Sequence, residues 1–523
     1  MNRQKPDLIQ SLLDRRLLIF SFITAFVMLT LCSKSSFLYP FNDWVDANCY
    51  FTVGKGMLQG KVVYRDLFEQ KGVLLYFLHA LAYLVSHTTF IGVFFIEVIA
   101  GTAYLYYAAK TVTLFVDERW ACVILPVLAA LVYSSKYFAH GDSAEELCLP
   151  LLMAGFYHLL RFFRDSETLT LRTVAVCGAL AGCVLWIKYT MLGFWLGFIV
   201  AIFVALLLKR QAKKAFAACA CFLAGMIAAA IPWAVYFAAN GASEDWFHAY
   251  FTLNITAYAK TSGFAAVMQS AWGGFYTNVS KDPALLVSML LGLLGFIGTR
   301  RLISGAWAKI SFVLLPVLLV LGVYGGGRNY PYYFLIVTGM TMLPGLIAAA
   351  SLFSGIGGFF RRSAIKRKEI RAARISPLLA FGCAVVLIAS AIYAYSAYQY
   401  KDFMKVDKDE LAQTQFAAVM HEEENPTLLN FGFLDGGFYT AADILPGIRY
   451  FCNLNVNVPG MLAAQIEAIR NKTVQFVVLR SDSTGQGRQS IYTLLEGSYQ
   501  RVAEVKQEFE HRLFTYSLYK LTD

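Results

Sequence analysis

Apolar runs long enough to cross a bilayer recur along most of the chain, broken by short polar segments. A crossing helix needs roughly 17 to 25 mainly apolar residues. Eleven runs fit that pattern, at 17–35, 89–113, 120–136, 146–163, 173–189, 191–208, 215–238, 284–299, 309–326, 331–353 and 376–397. A further run, 72–85, has only about 14 residues. Counting it as a crossing would invert every later loop, so it is placed as an interfacial or half-inserted helix. From about residue 399 the pattern changes to short mixed runs with ordinary charge content. There TLLNFGF (427–433) and VQFVVLRS (474–481) read as strands, with a helix over 459–470 between them, which predicts a small α/β sandwich. The expected architecture is an α-helical polytopic membrane region over 1–398 and a separate α/β domain over 399–523.

Composition agrees with that division. Of 523 residues 58% are hydrophobic and 15% charged, whereas soluble domains carry about a quarter charged residues. A net charge of +11 could suggest nucleic acid, but the basic residues cluster in short loops between apolar runs, where the positive-inside rule puts them. With 72–85 excluded, Arg15, Arg16, Lys110, Arg119, Arg164, Arg172, the 209–214 segment, Arg300, Arg301 and the basic stretch 361–374 all fall on the cytoplasmic side. No nucleic-acid partner is expected; the partner is the bilayer of the plasma membrane. The N-terminal run lacks a small-residue cleavage site and reads as a retained span. Ten cysteines lie scattered, mostly inside apolar runs, so neither a disulfide framework nor a thiolate metal site is indicated.

The same topology collects the unusual polar segments on the opposite, extracytoplasmic side: 41–71, 136–146, 187–190, 241–283 and 324–333. If residues 44–57 are helical, Asp43, Asp46 and Tyr50 share one face; the competing reading is a loop helix whose acids merely face water. In HGDSAEELCLP (140–150), Asp142, Glu145 and Glu146 stand directly before a span, where capping by Asp142 or Ser143 would also account for them. Three cations lie on that side as well. Lys71 ends the loop in FEQKG, Lys188 sits in WIKYT at a turn with almost no loop, and Arg328 follows three glycines in GGGRNYPYYF. Lysines near span ends usually snorkel to head groups. Lys188 is the exception, because positive charge is least expected there, and a bound phosphate would supply a partner. His248 reads as a local hydrogen-bonding residue rather than a ligand. Neither GFLDGGFY nor STGQGRQ has the strand and helix context of a nucleotide site.

At these residues the chain resembles the GT-C glycosyltransferases, specifically the bacterial integral-membrane enzymes related to protein O-mannosyltransferases and lipid A aminoarabinose transferases. DANCY resembles the family's first-loop acidic and tyrosine motif, which implies Asp46 as the catalytic aspartate with Tyr50 its tyrosine. KGVLLYFL from Lys71 is similar to the family's lysine segment before an apolar helix. Lys188 matches a lysine at a span end, and YPYY from Tyr330 the late aromatic segment. Ala47 stands where the family often has a second acid, and Gln70 where some members place a metal-binding acid, so no cofactor is assigned and a fixed divalent metal is not expected.

The resemblance implies a polyprenyl-phosphate-linked sugar as donor and a hydroxyl acceptor on a glycan, lipid or protein. Asp46 would be the base, Lys71, Lys188 and Arg328 would bind the donor phosphate, and Asp43, Tyr50, Asp142, Glu145 and Tyr332 would contact substrate. Two other classes remain open: a transporter or flippase for a lipid-linked or anionic substrate, and a noncatalytic membrane assembly subunit. Transporters often carry internal repeats with helices interrupted near the midplane; here there is no repeat, and the polar residues gather at one end of the spans.

Overall fold

The computed structural model describes residues 4–358, 377–456, 458–482 and 493–522. The basic stretch 361–374 and STGQGRQ (483–489) lie outside the described residues. Among those described, eight helices are long and apolar enough to cross a membrane: Leu13–Cys32, Ile91–Phe115, Ala144–Arg164, Leu171–Leu208, Ala212–Ala239, Ala306–Tyr324, Pro331–Ser354 and Ala380–Ala397. The chain is an integral membrane protein. Expected runs 173–189 and 191–208 join in the longest stretch, Leu171–Leu208, but the chain leaves helical geometry at Lys188 (φ −157°, ψ 98°) before the turn Tyr189–Met191. Run 120–136 forms the helix Ala121–Tyr133, with Pro126 inside it; its 13 residues span about 20 Å against a hydrocarbon core of about 30 Å. The short run becomes the 11-residue helix Val73–Tyr83.

One segment read as an outer loop is helical. Phe264–Val279 precedes Pro283–Gly298, and the two are bent by 111°. The break follows from its sequence: Asp282 accepts a hydrogen bond from the Leu285 amide at 3.0 Å, and Pro283 occupies the first helical turn, where its missing N–H costs nothing.

The described chain forms two compact units, each assembled from three segments. One comprises Met1–Ser33, Glu97–Ala230 and Thr261–Lys401. The other comprises Lys34–Ile96, Ile231–Lys260 and Asp402–Asp523. In the first unit an apolar cavity of about 440 Å³ is lined by side chains such as Trp272, Phe275, Met289, Phe312, Leu319 and Met340. Thr341 carries the one hydroxyl among its lining residues, and that hydroxyl donates to the Val337 carbonyl at 2.7 Å.

The second unit contains a four-stranded sheet in the order β1 (Leu428–Asn430), β2 (Phe476–Asp482), β4 (Arg512–Leu521), β3 (Tyr499–Phe509). β1 and β2 run parallel, so a crossover is required; the helix Met461–Arg470 supplies it. Leu429, Val477, Ile469 and Tyr519 form the buried core beneath. β3 and β4 were not anticipated, and the reason is local. β3 reads YQRVAEVKQEF, with charges at both alternations, and the turn after it uses Glu510 and His511 at φ 48° and 61° in place of the Asn-Gly pair that usually marks such a hairpin.

Candidate functional site

In the second unit the first-loop segment forms a helix over Val45–Leu58. Its entry is held by amides: the Trp44 N–H donates to Asn42 Oδ1 at 3.1 Å, while Asn48 Nδ2 donates to the carbonyls of Asn42 and Trp44, both at 2.9 Å. Asp46 falls in the first turn, where the positive end of the helix favours a carboxylate. It is half-buried, whereas Ala47 through Gly56 are buried. The Tyr50 hydroxyl, one turn on, donates to Asp46 Oδ2 at 3.3 Å.

Lys71 is fixed through its backbone. Its N–H is shared between Glu69 Oε2 and the Tyr76 hydroxyl oxygen, each at 2.8 Å, and its carbonyl accepts from the Tyr64 hydroxyl at 2.6 Å. Tyr76 in turn donates to Glu69. The Lys71 ammonium lies 5.7 Å from the centroid of the Tyr50 ring. Asp46, Tyr50 and Lys71 are therefore brought together around one aromatic ring. Helix Val73–Tyr83 can approach this closely because Gly54 has no side chain: a Cβ there would lie 2.6 Å from the Ala80 nitrogen.

Asp43 takes a different place. The helix begins two residues after it, so it does not share the helical face of Asp46. Its carboxylate pairs with Lys34 at 2.6 Å, both side chains being 3% exposed, and the Lys34 ammonium also sits 4.5 Å from the Phe403 ring centroid. Further along the same helix two groups are anchored by the C-terminal segment. Thr52 donates to Asp435 Oδ2 at 2.7 Å and the Gly437 amide to Asp435 Oδ1 at 2.9 Å; burial pushes the Asp435 carboxyl up to about 6. Lys55, fully buried, donates to the carbonyls of Tyr439 and Ile444 at 2.9 and 2.8 Å and pairs with Asp443 at 3.4 Å. Burial lowers its ammonium to about 8 despite the opposing Asp443 charge.

The first unit holds a second polar cluster. Lys188, at the point where its helix ends, forms an ion pair with Glu145. Its Nζ lies 3.4 Å from the Tyr333 ring centroid and 5.7 Å from that of Tyr332. The protein itself thus supplies a partner for the out-of-place lysine, and Glu145 does more than meet a helix end. Ser143, not Asp142, is the side-chain cap, accepting from the Glu146 amide at 3.1 Å. Asp142 is fully buried with φ 59°, and its N–H is shared by Glu97 Oε1 and Glu146 Oε2 at 2.8 Å each. Ser33 donates to Glu97 from the other side. Arg328 is half-buried in the loop that follows Tyr324, beside Gly327 at φ 80°, on the segment that continues into Tyr332. His248 is exposed. Among the described residues no group of three or more His, Cys, Asp or Glu side chains is arranged to hold a metal ion.

Several participants escaped the sequence reading. Lys34 and Asp435 have partners that only the fold reveals. Glu97 did carry a signal, being a single acid within the apolar run FFIEVIA, and an ionisable residue in a span is a site candidate by default.

Comparison with solved structures finds ArnT from Cupriavidus metallidurans bound to undecaprenyl phosphate, at a TM-score of 0.57 and 11% identity, covering 95% of this chain and 97% of that one. The apo form of the same protein gives a TM-score of 0.55 with the same identity and coverage. The chain therefore has the GT-C-like membrane fold that its sequence resembles. No curated protein matches it. A family model matches residues 4–372, and by that match the chain belongs to the family described as "Putative competence-induced protein Ccs4 N-terminal domain".

Proposed function

We propose that this protein is an inverting glycosyltransferase that moves a sugar from a polyprenyl-phosphate carrier to a hydroxyl of a glycan, lipid or protein acceptor on the extracytoplasmic face of the membrane. The observation that carries the reading is the state of Asp46: half-open at a helix N-terminus, bonded by Tyr50 and neighboured by Lys71, while Asp43 is closed into an ion pair. Asp46 takes the proton of the acceptor hydroxyl as that oxygen bonds to the anomeric carbon. The bond from this carbon to the phosphate oxygen breaks, and polyprenyl phosphate departs with the electron pair. Base assistance of this kind is worth about 100- to 10,000-fold in rate.

Lys71, Lys188 and Arg328 are the cations assigned to the departing phosphate. Glu145 and Tyr332 orient Lys188, and Asp142 holds the turn that carries Glu145. The apolar cavity of the first unit offers surroundings that a prenyl chain favours, and the undecaprenyl phosphate bound to ArnT supports a lipid phosphate as carrier. The outward orientation rests on the Lys and Arg distribution, with residues 1–398 as the lipid-embedded part and 399–523 outside.

The test uses purified protein in lipid vesicles with a radiolabelled polyprenyl-phosphate sugar and crude envelope acceptors. Asp46→Asn should lower transfer at least about 100-fold with an unchanged melting profile, and Lys188→Ala should raise the donor concentration needed more than the acceptor concentration. Retained turnover in Asp46→Asn would refute the assignment of the base. Movement of labelled lipid across vesicles without transfer would favour a flippase.

A further inference from the structure

Two of the ten cysteines, 403 residues apart in the chain, meet inside the second unit: Cys49 Sγ and Cys452 Sγ are 3.7 Å apart. Neither spacing nor motif in the sequence links them. Cys49 stands on the helix that carries Asp46, three residues on and next to Tyr50, and is 1% exposed; Cys452 is 2% exposed. The segment around Cys452 is pinned on both sides. The Phe451 carbonyl accepts from the Tyr439 hydroxyl at 2.9 Å, and the Asn453 amide donates to the Phe433 carbonyl at 2.8 Å. Both backbones are thus held in place while their sulfurs touch, and the gap to a disulfide length of about 2.05 Å is small.

We propose that Cys49 and Cys452 are joined by a disulfide in the mature protein, tying the Asp46 helix to the C-terminal α/β segment. The proposal rests on the outward orientation given under Proposed function, since disulfides persist on the oxidising side of a membrane. The two thiols each give up a proton and an electron and an Sγ–Sγ bond forms. The two electrons and two protons pass to the disulfide of a thiol oxidoreductase on that side, which leaves as a dithiol after a mixed-disulfide intermediate. Burial pushes both thiols up, so the closed pair is a poor source of thiolate. The bond is therefore made while the C-terminal segment folds onto the helix, before the pair is sealed.

The consequence is specific to the helix that bears the proposed base. Its first turn is held by Asn42 and Asn48, its second by the sulfur pair, its middle by Thr52 on Asp435 and its last turn by Lys55. A covalent link one turn after Asp46 fixes where Asp46 stands relative to Lys71.

The experiment is a thiol count on the full chain in its own membranes. Membranes are denatured and alkylated with and without prior reduction, and the protein is analysed by mass spectrometry; a reporter enzyme active only outside the cytoplasm, fused after residue 523, records the side of the C-terminus. Reduced protein should take ten alkyl groups and unreduced protein two fewer, with Cys49 and Cys452 peptides recovered cross-linked. Cys452→Ser should free Cys49 for alkylation without reduction; because the chain is denatured first, a variant that folds poorly still reports. Full alkylation before reduction in a protein whose reporter is active overturns the disulfide and leaves the glycosyltransferase reading untouched. A cross-link mapped to another pair overturns it equally. A silent reporter refutes the outward orientation and the disulfide with it.

Discussion

Replacing Asp43 by asparagine removes the buried carboxylate that pairs with Lys34, and the size of the effect follows from the geometry. At 2.6 Å and an effective dielectric of about 20, the attraction of the pair is about 6 kcal/mol. Desolvating two ions costs several kcal/mol each, so the intact pair is close to neutral relative to an apolar replacement. Removing one partner is different: it forfeits the attraction and keeps the remaining penalty, which costs about 3 to 5 kcal/mol. Asp43→Asn and Lys34→Met should each destabilise the protein by that amount, and the double variant Lys34→Met/Asp43→Leu should recover most of the loss. Unfolding free energies from SDS titration in mixed micelles, arranged as a double-mutant cycle, measure the coupling. Single variants within about 1 kcal/mol of the parent, or a double variant as unstable as the sum of the singles, would refute a buried, coupled pair and return Asp43 to the solvent-facing role that its loop position suggests.

Stability should also depend on pH through Asp435. Its folded-state carboxyl stands at about 6 against an ordinary 3.8, so the folded protein holds this proton more tightly than the unfolded chain. The contribution is complete below pH 3.8 and lost as pH rises through about 6, a change of about 3 kcal/mol. In Asp435→Asn that component of the pH 4 to 7 melting profile should vanish; a profile parallel to the parent would refute it. In the first unit the helices Leu171–Lys188 and Ala212–Ala239 meet through reciprocal glycines. A Cβ on Gly178 would come within 2.0 Å of the Phe222 carbonyl oxygen, and one on Gly225 within 2.0 Å of the Ala175 oxygen. Gly178→Ala and Gly225→Ala should each cost about 1 to 3 kcal/mol, seen as lower melting temperatures, whereas Gly382→Ala, with open space around it, should not; equal melting of all three would refute the close crossing.

What could be read from the sequence was what depends on short-range spacing. The length of the apolar runs located the long helices, and Asp46 with Tyr50 one turn later is a local pattern that survives folding. Lys188 stood out because its charge sits on the wrong side for its surroundings, an argument that needs only topology. Its pairing with Glu145, 43 residues earlier, was less visible, because a glutamate at a helix start has a sufficient explanation in the helix itself. Thr52 with Asp435, Lys55 with Tyr439 and Cys49 with Cys452 lie 383 to 403 residues apart. No periodicity encodes such pairings, since they are chosen by the packing of whole elements. The hairpin of β3 and β4 was missed for the opposite reason, a turn made by residues that rarely adopt it.

Burial then sorts the acids in a way that charge counting could not. A general base must meet its substrate, and a carboxylate shut in by surrounding protein does not. Asp43 is closed by Lys34, Glu145 by Lys188, Asp435 by Thr52 and the Gly437 amide, and Glu97 by Ser33 and the Asp142 amide. Each of these is invested in holding an element in position. Asp46 is half-buried, sits where a helix end stabilises negative charge, and accepts a long hydrogen bond at 3.3 Å from the Tyr50 hydroxyl. Substitutions at the closed acids should therefore act first on folding, whereas Asp46→Asn should leave folding intact and remove transfer. That contrast in readout, more than any single rate, separates an enzyme built around Asp46 from a membrane scaffold that merely contains it.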